Sequence, residues 1–150
     1  MQNNGFRIQG FFGQYRYLSN FWDCDVEYEG LKYKSSEAAF QAAKCKNNND
    51  RIQFTSMEAK ESKAAGKHVK LRSDWEEIKV GVMLEIVRAK FTQNPKLAQA
   101  LKQTQFAKLI ESNKWCDNFW GVCECDICDG VGQNMLGEIL MTVRDELLKK

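Results

Sequence analysis

Ser35-Ser36-Glu37-Ala38-Ala39-Phe40-Gln41-Ala42-Ala43-Lys44 is the stretch on which the reading of this chain turns. It reads as the opening of a helix that ends near Cys45. Ser35 or Ser36 is placed to cap the first free backbone N–H groups, and Glu37 falls in the first turn, where the helix dipole favours an anion. The alanines suit a helix and leave a thin surface. Glu37, Gln41 and Lys44 follow one another at i+4 and i+3, so a carboxylate, an amide and an amine share one face. That row fits a catalytic constellation, and on spacing alone it fits an ordinary solvated stripe better, because such polar pairs are common on helices.

Upstream, Phe6 to Phe12 has the pattern of a strand, and Tyr17-Leu18-Ser19-Asn20-Phe21-Trp22 sets three aromatics around small polar residues, as a core edge or as a wall for a flat ring. Cys24 to Tyr33 alternates about Gly30 and reads as a short hairpin. Downstream, Asn94-Pro95 ends a strongly periodic helix in which Val80, Met83, Leu84, Val87 and Phe91 form the apolar stripe. Ser73 or Asp74 is its expected cap. Lys90 falls on the stripe's border, as a snorkelling lysine or as an inward ligand for phosphate or a carbonyl. Lys96 to Lys102 reads as a short helix, and the type of 105–112 stays open. The last helix runs from about Met135 to Leu148, with Leu136, Ile139, Leu140, Val143 and Leu147 inward and Asn134 as N-cap. The expected architecture is α+β and predominantly α-helical, one domain over 1–150 with a short N-terminal hairpin or sheet.

At 150 residues the chain is long enough to bury about 70% of its unfolded surface without staples. A net charge of +2 argues against a nucleic-acid scaffold and leaves room for a local basic pocket. Met1-Gln2-Asn3-Asn4-Gly5 is polar and precedes no apolar signal core. No run approaches the ~18 apolar residues of a membrane span. The six cysteines therefore read as reduced, and the protein as cytoplasmic.

Cys116, Cys123, Cys125 and Cys128 form C-x6-C-x-C-x2-C. Four thiols in such a short segment have the chemistry of a tetrahedral zinc site, but structural zinc sites usually pair two C-x2-C knuckles and this segment has one. The expectation is a loop of reduced cysteines with no metal and no cofactor; a zinc-stabilised interaction protein is a third reading that rests on this loop alone. Gly130-x-Gly132-x-Asn134 before the last helix is a weak relative of a phosphate loop, and equally a turn into a capped helix. His68 is the only histidine, set among lysines, so no Ser-His-Asp triad is available and acid–base work falls to carboxylates and lysines. Glu37 and Asp117 have the most aromatic or small-residue surroundings, where burial raises a carboxyl's proton affinity. A desolvated Lys44 would lose basicity and gain nucleophilicity towards a sugar carbonyl.

Taken together, Ser19-Asn20-Phe21, Ser36 to Lys44, Asp74-Trp75, Met83 with Lys90-Phe91 and Asn94, Asp117-x-Phe119-Trp120-Gly121, and Gly132-x-Asn134-x-Leu136-Gly137 with Leu140-Met141 and Arg144 resemble the NADAR (YbiA-like) family in order and spacing. The resemblance spans about Phe11 to Leu147. It implies a compact, mostly helical fold and an N-glycosidase that cleaves a C–N glycosidic bond. The substrate classes it implies are phosphoribosyl-pyrimidine intermediates of riboflavin synthesis, or ADP-ribose on guanine in nucleic acid. No membrane and no obligate protein partner are implied. The alternative is a non-catalytic module that binds ADP-ribose or a related nucleotide. Two features depart from the family: Ala38 stands where histidine often follows the motif glutamate, and the cysteine-rich loop from Val122 to Val131 is longer.

With that resemblance, Glu37 is expected to stabilise the sugar cation or activate water, Lys44 to capture the opened sugar or bind phosphate, and Asp117 to be a second acid or base. Trp120, with Phe21 or Trp22, would stack on the base. Asn20 and Asn134 would hydrogen-bond ribose or phosphate, and Lys90 and Arg144 would hold phosphate. Gln41 and Gly121 complete the expected binding residues.

Overall fold

The computed structural model describes residues 6–150, so the polar start Met1–Gly5 lies outside the described residues. The chain groups into two compact units, one of Asn20–Leu97 and one that joins residues 6–19 with Ala98–Lys150. Helix dominates. Among the described residues the strands form only two-stranded pairs, in keeping with the α+β, mainly helical expectation.

In the unit Asn20–Leu97, β2 (Val26–Tyr28) and β3 (Leu31–Tyr33) form the expected antiparallel hairpin, with Val26 opposite Tyr33. Its two turn residues, Glu29 and Gly30, have φ of 49° and 87°, the left-handed pair that matches the twist of a tight hairpin. Helix α1 (Ser36–Ala43) follows at once. Ser35 Oγ accepts the Ala38 N–H at 3.1 Å, so the first serine is the cap. Every residue of α1 is buried. Alanine on most faces makes that possible: α1 packs against α3 (Ala59–Gly66), α4 (Trp75–Gln93) and the hairpin, and bulkier side chains would hold these apart. The facing residues of α3 are small too, with Ala59, Ser62 and Gly66 buried in one row. Phe40 meets the Trp75 ring at 5.0 Å between centroids. Between α1 and α3 lie the short α2 (Asn48–Arg51) and a 3-10 turn over Ile52–Ser56.

Helix α4 departs from expectation in its buried face, in the place of Lys90 and at its cap. Its buried face is Trp75, Val82, Met83, Ile86, Val87, Lys90 and Phe91, whereas Val80 and Leu84 are only half-buried. Apolar residues occupy most directions of this helix, so packing rather than periodicity selects the inward face. Lys90 lies within that face, one turn on from Ile86, not at its border. Asp74 sits at the cap position but makes no side-chain cap; its carboxylate is held by Arg72, whose Nε donates at 2.7 Å and Nη2 at 3.2 Å.

Helix α5 (Pro95–Gln103) carries the chain onward. In the other unit, β1 (Arg7–Gln9) pairs in parallel with β4 (Lys108–Ile110), and β5 (Ser112–Asn113) pairs in parallel with β6 (Val122–Cys123). Of the segment 105–112, whose type is open in the sequence, Lys108–Ile110 is strand and Ser112 begins β5, while 105–107 is turn and connection. Helix α6 (Met135–Leu148) packs on β4 through the expected stripe of Leu136, Ile139, Leu140, Val143 and Leu147. Gly137 makes the approach possible: a Cβ there would lie 2.1 Å from the Leu109 carbonyl oxygen.

Candidate active site on helix α1

The carboxylate and the amide of α1 are not a solvated stripe. Glu37 is 8% exposed and Gln41 is 6% exposed. Gln41 Nε2 donates to Glu37 Oε2 at 2.6 Å, which fixes the carboxylate one turn into the helix. Asn20, also buried, begins the same arrangement: its carbonyl accepts the Glu37 N–H at 3.0 Å and its side-chain amide lies 3.4 Å from Met83 Sδ. Lys44 is half-buried at the end of α1. Burial lowers its proton affinity first, and Lys63 adds to that, while the negative charge of Glu37 and the Cys45 thiol work the other way. Helix α1 thus carries a buried carboxylate in its first turn and an amine of weakened proton affinity at its end.

Of the expected aromatic wall in this unit, Phe21 is half-buried and Trp22 is 36% exposed. The Lys63 ammonium stands 5.8 Å from the Phe21 ring centre. Lys63 and Gly66 of α3 are not among the expected site residues. The signal that marks Gly66 is the small-residue row Ala59, Ser62, Gly66; a Cβ at Gly66 would lie 1.9 Å from Gln41 Oε1. Lys90 is 1% exposed, and burial pulls its proton affinity down to about 8, with Cys24 opposing. An open cleft of about 340 Å³ lined by Glu29, Arg72, Glu77 and Glu85 in the same unit contains none of the expected site residues.

The expected residues of the other unit are tied into its structure. Asp117 Oδ1 accepts from the Phe119 and Trp120 N–H groups at 3.1 and 2.9 Å, an Asx turn that sets the direction of Trp120. Trp120 meets Phe119 edge-on at 4.8 Å. Gly121 is buried, with its backbone so near Glu111 that a Cβ would lie 2.4 Å from that carbonyl oxygen. Asn134 stands at the cap position of α6 yet does not cap it. Its φ is 53°, and its amide bridges to β4, with Oδ1 accepting from Glu111 N and Nδ2 donating to Leu109 O, both at 2.9 Å. The first N–H groups of α6, Met135 and Leu136, go to the carbonyls of Phe119 and Trp120 at 3.0 and 2.9 Å. That helix end is occupied by protein, so the phosphate-loop reading of Gly130 to Asn134 does not stand. Arg144 is buried, and its Nη1 donates to Thr104 Oγ1 at 2.9 Å and to the Ala107 carbonyl at 2.8 Å. Both contacts lie within the fold.

Comparison with known proteins adds what geometry does not. The sequence pattern of the NADAR domain matches residues 10–148. The chain is 40% identical over 137 residues to a riboflavin biosynthesis protein of Vibrio vulnificus, a match that takes in 87% of this chain and 35% of that protein; the chain spans about a third of that relative's length. It is 33% identical over 133 residues to the N-glycosidase YbiA of Escherichia coli, covering 87% of this chain and 80% of that one. The NMR structure of the E. coli protein YbiA superposes with a TM-score of 0.78 at 29% identity, over 99% of this chain and 91% of that chain.

Proposed function

This chain belongs to the NADAR domain family, and from that premise we propose that it is an N-glycosidase acting on the C–N bond of a ribose-phosphate nucleotide-like substrate. Relatives named for riboflavin biosynthesis support a phosphoribosyl-pyrimidine as that substrate; ADP-ribosyl-guanine in nucleic acid is the second candidate within the class. The observation that carries the reading is the buried Glu37–Gln41 pair on α1 with Lys44, an amine of weakened proton affinity, at the same helix's end.

The C–N bond breaks with its electron pair passing to the base nitrogen, and positive charge develops at C1 and the ring oxygen. The Glu37 carboxylate, out of water and held by Gln41, stabilises that charge far better than it would in solvent. Lys44, whose lowered proton affinity brings the neutral amine within easier reach, adds to C1 in that form. The proton it then sheds passes by way of Glu37 to the departing base. Opening of the sugar ring gives a Schiff base, and water attack on it returns the amine and the free sugar phosphate. Lys90, buried on α4 with reduced proton affinity, is a cation suited to a phosphate that arrives desolvated.

The test is base release, followed by chromatography, from a phosphoribosyl-pyrimidine and from ADP-ribosylated guanine DNA. Release is expected from one of the two. Glu37→Gln should lose at least ~10²-fold in turnover while keeping its helical spectrum, and borohydride should trap a covalent adduct that Lys44→Arg cannot form. Near-normal turnover in Glu37→Gln refutes the assignment. Tight binding without release identifies a nucleotide-binding module instead.

A further inference from the structure

The segment 114–131 has almost no core of its own. Within it only Gly121 and Cys123 are buried, and Trp115, Ile127 and Val131 stand 65%, 91% and 64% exposed. Nevertheless the loop is folded to a definite shape, and its four cysteines are gathered at one point. The Sγ atoms of Cys116, Cys123, Cys125 and Cys128 all lie within 4.8 Å of one another. We propose that these four cysteines form a structural zinc site.

The spacing of the sulfurs carries the proposal. Zinc–thiolate bonds of about 2.3 Å in a tetrahedron set the sulfurs about 3.8 Å apart. Cys116 and Cys125 are already 3.7 Å apart, and a small contraction brings in the others. Backbone donors converge on the same atoms. The N–H groups of Cys116 and Cys125 point at Cys123 Sγ at 3.2 and 3.5 Å, and that of Cys128 at Cys125 Sγ at 3.4 Å. Such N–H to sulfur bonds disperse the charge of metal-bound thiolates and fix their orientation. The missing second C-x2-C knuckle, which argued against a metal in the sequence, is replaced by the fold. The parallel β5–β6 pair and the bridge from Cys123 to Val131 bring the ends of the loop together. Left-handed backbone at Cys116 and Asp129, with φ of 65° and 52°, lies at the edges of the cluster.

Four thiolates select a soft divalent ion and leave no open position, so the site is structural rather than catalytic. Binding of Zn2+ to four thiols forms four Zn–S bonds and releases four protons, with no change of oxidation state. The ion would fasten the part of the loop that begins one residue after Cys116. Asp117 there sets the turn into Trp120, and Asn113 Oδ1 accepts from Trp115 N and Asp117 N at 3.2 and 3.1 Å.

The test starts from the full chain, expressed with zinc in the medium and purified under reducing conditions. Elemental analysis should find about one zinc per chain. Co2+ added to the metal-stripped protein should give thiolate charge-transfer and tetrahedral d–d bands that saturate at about one equivalent. Cys125→Ser and Cys128→Ser should lose stoichiometric loading, whereas Cys24→Ser and Cys45→Ser should keep it. Zinc should also slow proteolysis within 114–131. Zinc-free protein that shows no cobalt bands overturns the proposal, as does full loading in both loop variants. The wild-type cobalt titration decides the matter even where a serine variant fails to fold.

Discussion

Lys90→Met is the substitution whose outcome the structure constrains most tightly. Lys90 is 1% exposed on the buried face of α4, alongside Val82 and Ile86, and burial pulls its proton affinity from 10.5 to about 8. At about 1.4 kcal/mol per tenfold change in affinity, that fall sets about 3 kcal/mol against the folded state while the amine is charged. Below pH 8 the folded and unfolded chains both carry the proton, and the whole penalty stands. Between about 8 and 10.5 the unfolded chain binds more protons than the folded one, so this group makes the protein more stable as pH rises. Methionine keeps the unbranched shape and removes the charge. Lys90→Met should therefore be more stable than wild type by about 3 kcal/mol at pH 7 and about 2 kcal/mol at pH 9, with the gap closing near pH 10.5. Urea midpoints at matched m-values, followed by tryptophan fluorescence, give the difference. The difference is the quantity to use, because buried Tyr17 and Tyr33, both pushed up to about 12 by burial, act on each protein alike at higher pH. A variant less stable than wild type, or an advantage that does not shrink with pH, refutes the reasoning. With Lys90 proposed as the cation that holds the substrate phosphate, the same variant should lose turnover as it gains stability.

Gly66→Ala acts on the site through Gln41. The new methyl would lie 1.9 Å from Oε1, so the amide must swing away and the 2.6 Å bond to Glu37 breaks. Helix content should hold, since alanine is the better helix former, while turnover falls by up to ~10²-fold; unchanged kinetics would show that Gln41 does not orient the carboxylate. Asn134→Ala removes both bridges to β4 and places a Cβ-bearing residue with no local hydrogen bond at φ 53°. It should cost about 2–4 kcal/mol in thermal unfolding, and Asn134→Gly should recover the backbone part of that loss. Equal melting of the two variants would show that backbone strain contributes nothing.

The elements that announced themselves in the sequence are those whose cause is local. Gly30 marks the hairpin because the turn needs positive φ, Ser35 marks the start of α1 because its hydroxyl meets a free N–H, and α6 shows its stripe because Leu136, Ile139, Leu140, Val143 and Leu147 recur at helical spacing and are all buried. The family resemblance, carried by short motifs along nearly the whole chain, is upheld by the domain match and the YbiA structure. Features set by distant packing stayed hidden. Spacing put Glu37 and Gln41 on one face of α1 but could not say that α3 and α4 would bury it. The inward side of α4 was ambiguous because apolar residues surround that helix. Asn134 reads as a cap in one dimension and is a bridge to β4 in three. The meeting of the four cysteines depends on a pair of two-residue strands, too short to leave a pattern.

The pairing of β1 with β4 also sets an order in time. Ile8 lies opposite Leu109, so the partner of the first strand is made about a hundred residues after it. At synthesis rates of about 5–20 residues per second, Arg7–Gln9 waits for about 5–20 s with its edge unpaired. During that interval all of Asn20–Leu97 is produced, and its own contacts are local enough to form first. The unit that closes last is the one that carries the cysteine loop. On a ribosome, then, α1 and its carboxylate can be in place while Arg7–Gln9 is still an open edge.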